Sequence, residues 1–208
     1  SKNKSIDDLK VLKTITRSIK IIKIKNTSIK IGDVSLFKKL IDSLKIPERW
    51  KLRLTRHFWR PNYFEDLLNR FETNSDVDTT AVELDKKKFS EMKFQNQNKE
   101  IANRKISEIL SRFDRKIKDP RSFVENKKIV KIIRDFLKIK CPIEKLEKIL
   151  KKFVEDNNLS KGVFKDLSTV KNLSKLNSKM TFSTNFGRDI EYYTGIVFEI
   201  YDSSKKEI

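Results

Sequence analysis

Histidine and cysteine are almost missing from this chain: His57 and Cys141 are single copies in 208 residues. One cysteine forms no internal disulfide, and with no secretion signal a reducing cytoplasm is the simplest home. One histidine makes no histidine-based metal cluster, so no metal and no cofactor is expected. Neither a serine nor a cysteine nucleophile is supported, because His57 lies in a separate segment with no triad around it. Glycine is equally scarce, with four in all, and Gly162 is the only one between Gly32 and Gly187. That excludes a glycine-rich phosphate loop through the middle of the chain. No apolar run reaches the roughly 18 residues of a membrane-spanning helix. No long apolar segment follows Ser1 to Lys4, so no signal peptide is expected.

Acidic residues are outnumbered, 29 against 48 Lys and Arg, for a net charge of +19. Such a balance raises the question of a nucleic-acid partner. The lysines, however, are spread over nearly every helical segment and alternate with Ile, Leu and Glu. That pattern describes solvated helix faces more than one groove, so nucleic acid is kept only as a minority reading. Hydrophobic residues make up 37%, enough for a core.

Ile6 to Ile22 carries Ile6, Leu9, Leu12, Ile15 and Ile19 at helical spacing. Ser28 to Ile31 fits a short strand. Asp33 or Ser35 can cap the next helix, which holds Leu36, Phe37, Leu40 and Ile41. Pro47 opens another helix, to about His57, on which Arg49, Arg53 and Arg56 form a basic stripe. A stripe of this kind is either a ligand or partner contact or a solvated face, and the second is the commoner meaning. Asn62 is placed to cap a short helix ending near Arg70, and residues 72–82 read as a loop. Ile101, Ile106, Ile109, Leu110, Phe113 and Ile117 fit one amphipathic helix, closed by Pro120. Further helices are expected from Ser122 to Cys141-Pro142, from Ile143 to Asn157-Asn158, and from Val163 to Leu176.

The stretch from Phe182 to Tyr201 differs from everything before it. It holds Gly187 and Gly195 and three of the four tyrosines, Tyr192, Tyr193 and Tyr201, and it has no lysine. Val197, Phe198, Ile200 and Tyr201 are strand formers, so the stretch reads as strand, turn, strand. Arg188 offers a planar fork of donors suited to a carboxylate or phosphate. Tyrosine supplies a flat apolar wall and a hydroxyl. Such a set can hold a small zwitterion with a polar ring. An ordinary amphipathic strand pair with tyrosine at its rim has the same composition.

The order of residues goes further than composition. Arg188-Asp189-Ile190-Glu191-Tyr192-Tyr193-Thr194-Gly195 resembles the histidine-specific signature of histidyl-tRNA synthetases, Arg-Gly-Leu-Asp-Tyr-Tyr-Thr-Gly. A second block is similar to the synthetase paralogue that regulates histidine biosynthesis, the regulatory subunit of ATP phosphoribosyltransferase. That block is Ile31-Gly32-Asp33-Val34-Ser35-Leu36-Phe37, Pro47-Glu48-Arg49-Trp50 and Arg56-His57-Phe58-Trp59-Arg60-Pro61. The resemblance is sharp over residues 28–70 and 181–201. It implies an α+β chain with part of the class II aminoacyl-tRNA synthetase catalytic fold, an antiparallel sheet with a large helical portion. Its implied divisions are a partial core over 1–83, a helical insert over 84–178 and a return to the core sheet over 179–208. It implies a noncatalytic histidine-sensing subunit that pairs, as a hetero-oligomer, with the short-form catalytic subunit. Arg188, Tyr192 and Tyr193 would bind L-histidine, and Gly187 and Gly195 would permit the tight backbone. Asp189 stands where the synthetase motif has glycine, which speaks against efficient aminoacylation. Class II motifs 1, 2 and 3 are not found, so a fragment is expected, and a fragment or degenerate paralogue of a synthetase is the alternative.

Overall fold

Ile29 and Ile31 alternate with Lys30 and Gly32 in β1 (Thr27–Asp33), the strand on which a mixed four-stranded sheet is built. The computed structural model describes residues 4–23, 26–73, 79–94, 99–117, 123–165, 167, 172, 179–187 and 195–202. These residues form an α+β chain in two compact units. One unit comprises Ser1–Leu44, Trp59–Pro61 and Lys131–Ile208, the other Lys45–Phe58 and Asn62–Val130. Among the described residues no helix is long and apolar enough to cross a membrane.

The first unit holds the sheet, with strand order β4-β5-β1-β6, where β4 is Lys140–Pro142, β5 is Met180–Ser183 and β6 is Ile196–Asp202. The strand-turn-strand expected at the C-terminal end is not a hairpin. β5 runs parallel to β1 on one side and β6 antiparallel on the other, so β1 lies between them. The register puts Ile29 opposite Met180 and Ile200, and Ile31 opposite Phe182 and Phe198. These side chains share one face, and the buried set of Ile29, Ile31, Met180 and Phe182 makes it the core face.

Helices complete this unit. In α1 (Lys4–Ile21), Leu12 is buried. α2 (Val34–Ser43) buries Leu36, Phe37, Leu40 and Ile41, the set its periodicity predicts. Of the two expected caps, Asp33 is the one used. Its backbone is extended, and its carboxylate accepts from the Ser35 amide at 2.9 Å. A single 3-10 turn (Ile143–Lys145) leads into α8 (Leu146–Asp156). α8 stops where Asn157-Asn158 predicts: Asn158 takes φ 50°, and Leu159 and Asn158 donate to the carbonyls of Val154 and Glu155. This is a Schellman ending with asparagine in the left-handed position. Phe136 sits between Phe153 and Phe164, with ring centroids 5.9 and 5.8 Å away. β4 and α8 cluster in the same unit as the rest of the sheet. Pairing of β4 with β5, Cys141 opposite Phe182, is what ties them there.

The second unit is helical. It contains α3 (Glu48–His57), most of α4 (Pro61–Thr73), α5 (Thr79–Met92) and α6 (Ile106–Ile117), and its boundary falls within α7 (Phe123–Leu137). Pro47 starts α3 by offering its carbonyl to the Trp50 amide, and Pro61 occupies the first position of α4. Trp50, Leu54, Phe58, Phe64, Leu67, Leu68 and Phe71 are buried, and the Trp50 and Phe71 rings meet at 4.9 Å. Asn126, also buried, donates from Nδ2 to the Phe71 carbonyl at 2.8 Å. That satisfies a carbonyl in the last turn of α4. His57 packs its ring edge-on to Tyr63, as a packed histidine does.

Two expectations change in this unit. The loop expected over 72–82 is shorter, because α4 runs to Thr73 and α5 begins at Thr79. Ile101 is not helical. It lies in β2 (Glu100–Ile101), which pairs with β3 (Arg104–Lys105) across Ala102 and Asn103. Both turn residues have positive φ, 50° and 60°, the geometry of a two-residue hairpin turn. In the first unit, the helix expected from Val163 begins as a turn. Of residues 166–178, only Leu167 and Asn172 fall within the described ones.

Candidate functional site

The second face of the sheet carries Lys30 and Gly32 of β1. Lys30 stands opposite Thr181 and Glu199, and Gly32 stands opposite Val197. The chain leaves β5 at Ser183, turns through Thr184 to Gly187, and re-enters the sheet at Ile196 opposite Asp33. The segment that joins β5 to β6 therefore starts and finishes at the Asp33 end of β1, where α2 begins.

Three residues hold the ends of that segment. Thr184 donates its amide to the Ile139 carbonyl at 3.1 Å and its hydroxyl to the Phe136 carbonyl. Phe186 crosses over β1, with its ring 4.7 Å from Lys30 Nζ. Its carbonyl oxygen occupies the space that a Cβ on Gly32 would need. At the other end, the Gly195 carbonyl accepts from the Val34 amide at 3.1 Å. The Val34 and Ser35 amides, two of the donors that a helix start leaves without an intrahelical partner, are thus both engaged by protein groups.

The two glycines that flank the tyrosine motif have different jobs. Gly187 has φ +82°, and a Cβ there would run into the Val197 side chain. Only glycine meets both demands without strain. Among the described residues, a Cβ at Gly195 would meet nothing within 4 Å, and its backbone is outside the left-handed region. The geometry therefore demands glycine at Gly187, while the described surroundings of Gly195 leave space for a side chain. Gly32 is the glycine the residue-by-residue reading did not single out. Its signal was available: it is a side-chain-free position in an otherwise alternating strand.

Arg188, Tyr192 and Tyr193 lie outside the described residues, so their side chains have no stated place. What the structure brings together is the frame on either side of them: Gly32, Phe186, Gly187, Gly195 and Val197 at one end of β1. Residues 188–194 lie outside the described ones, and the residues on either side of them, Gly187 and Gly195, are held at the Asp33 end of β1.

No family model matches the chain. It is similar to proteins described as ATP phosphoribosyltransferase regulatory subunit. The one from Allorhizobium ampelinum is 23% identical over 189 residues, covering 83% of this chain and 50% of that protein. The one from Rhizobium rhizogenes is 23% identical over 197 residues, covering 85% and 51%. The one from Chelativorans sp. is 24% identical over 190 residues, covering 82% and 50%. The chain spans about half the length of the curated relatives it matches. A solved histidine–tRNA ligase subunit from Alicyclobacillus acidocaldarius aligns over 97% of this chain and 50% of its own, at 18% identity and a TM-score of 0.33. The resemblance read from the motifs and the similarity found by comparison therefore name the same kind of protein.

Proposed function

We propose that this chain is a histidine-sensing, noncatalytic part of an ATP phosphoribosyltransferase regulatory subunit, acting at the first step of histidine biosynthesis in the cytoplasm. Support comes from the names of its relatives and from its tyrosine motif. One structural observation supports the reading: Gly187 and Gly195, the residues on either side of the motif, are held at the Asp33 end of β1, where Gly32 leaves room for the Phe186 carbonyl. On this reading Arg188 takes the histidine carboxylate in its planar fork, and Tyr192 and Tyr193 supply the walls and hydroxyls for the imidazole. The class II synthetase-like fold would serve here for binding without activation. The partner is the short-form catalytic subunit, in a hetero-oligomer. Feedback follows if histidine binds two arrangements of that complex unequally.

The test is calorimetric titration of L-histidine into the chain alone and into a mixture with a short-form catalytic subunit. Binding that appears or tightens in the mixture is expected. Arg188→Ala and Tyr193→Phe should each weaken it while leaving the circular dichroism spectrum unchanged. Absence of both histidine binding and association would remove the reading. Transfer of histidine to tRNA would replace it with a synthetase.

A further inference from the structure

The basic stripe of α3 does not stand alone. α6 packs beside α3 and brings Arg112 and Arg115 to the same hollow as Arg49, Arg53, Arg56 and His57. The hollow has a volume of about 380 Å³, within the range of small-molecule sites. Five guanidiniums, always charged, converge there, and among the described residues that line it there is no carboxylate. Like charges gathered in one concavity repel one another and focus a positive field into it. A solvated helix face, the commoner meaning of the stripe in sequence, gives no reason for a second helix to add two more arginines opposite it.

Several of these groups are positioned from behind. Arg53 lies over the Trp50 ring at 4.9 Å, and Arg115 donates from Nε to the Ser111 carbonyl at 3.1 Å. His57 is fixed edge-on against Tyr63. Arginine forks match phosphate oxygens in pairs, so several forks around one hollow suit several phosphates close together. A nucleic-acid strand needs charges laid along a track, with aromatic faces for its bases. Here the charges come from two helices and line one hollow.

We propose that this hollow binds a small molecule carrying clustered phosphates, of the diphosphate or triphosphate kind. The inference is independent of the histidine reading, since it uses only α3 and α6. Inorganic tripolyphosphate is the probe, titrated calorimetrically into the whole chain at low salt. Arg56 and Arg112 are exposed, so Arg56→Gln with Arg112→Gln should leave the thermal melt unchanged. It should weaken tripolyphosphate binding roughly tenfold or more. Lys151→Gln with Lys152→Gln on α8 removes the same charge elsewhere and should change binding less than about twofold. Equal losses in the two double variants, or no binding by the unaltered chain, would overturn the proposal. So would a short single-stranded RNA that displaces tripolyphosphate and binds more tightly.

Discussion

The carbonyl of Phe186 stands where a side chain on Gly32 would have to be. That one relationship fixes how the β5–β6 connection crosses β1, and it separates the glycines of this region by what each must do. Gly32→Ala drives a methyl into a backbone carbonyl that is itself held by a turn, at an expected cost of about 1–3 kcal/mol. Gly187→Ala adds strain at φ +82° to a clash with Val197 and should cost at least as much, roughly 2–3 kcal/mol. Gly195→Ala meets open space among the described residues and should fall within about 0.5 kcal/mol of the unaltered chain. Urea unfolding of the three variants checks the order. A Gly195 variant as unstable as the other two would mean that the frame is misread.

Removing the cap of α2 is a second test. Asp33→Ala leaves the Ser35 amide without its 2.9 Å partner and should lower stability by about 1 kcal/mol. Asp33→Asn keeps an accepting oxygen and should recover most of the loss in the same denaturant titration.

Asn126 gives a third. Its Nδ2 is buried against the Phe71 carbonyl, so Asn126→Asp sets an acceptor against an acceptor. The expected loss is about 2 kcal/mol, read as a lower unfolding midpoint. Because an aspartate can relieve the repulsion by taking up a proton, the deficit should shrink as pH falls through the carboxylate range.

Cys141 supplies a pH test. Burial, and secondarily the Glu144 carboxylate, pushes its thiol above the ordinary range. The folded state therefore keeps the proton at pH values where the unfolded chain has begun to release it. Stability from this group is full below the ordinary thiol range and declines as pH rises through it. Cys141→Ser should flatten that part of the stability profile. Alkylation by iodoacetamide near pH 8 should be slower in the folded protein than in urea.

Local pattern carried most of the first unit. The cluster Leu36, Phe37, Leu40 and Ile41 was legible because helical spacing selects one face. The stop at Asn157-Asn158 was legible because asparagine tolerates the left-handed ending. Ile101 was misread as helical for the converse reason: two apolar residues at helical distance outweighed Ala102-Asn103, whose turn chemistry is the better signal. Placement of β5 and β6 on opposite sides of β1 was beyond any local pattern, since pairing partners are chosen by contacts far apart in sequence. Likewise the stripe of Arg49, Arg53 and Arg56 was visible, while its completion by Arg112 and Arg115 needed the packing of α6. For the candidate site, the sequence named the motif, and the structure adds the floor beneath its ends.

The interior position of β1 also governs when the molecule can form. Roughly 150 residues separate Ile29 from its partner Met180, and the antiparallel partner Ile200 comes later still. During synthesis β1 leaves the ribosome with both hydrogen-bonding edges bare and stays so until β5 and β6 have been made. Contacts this distant slow folding and leave an apolar strand open to wrong partners in the meantime. The glycine at position 32, by keeping the strand open for Phe186, thus belongs to the step at which β5 and β6 supply both missing neighbours of β1.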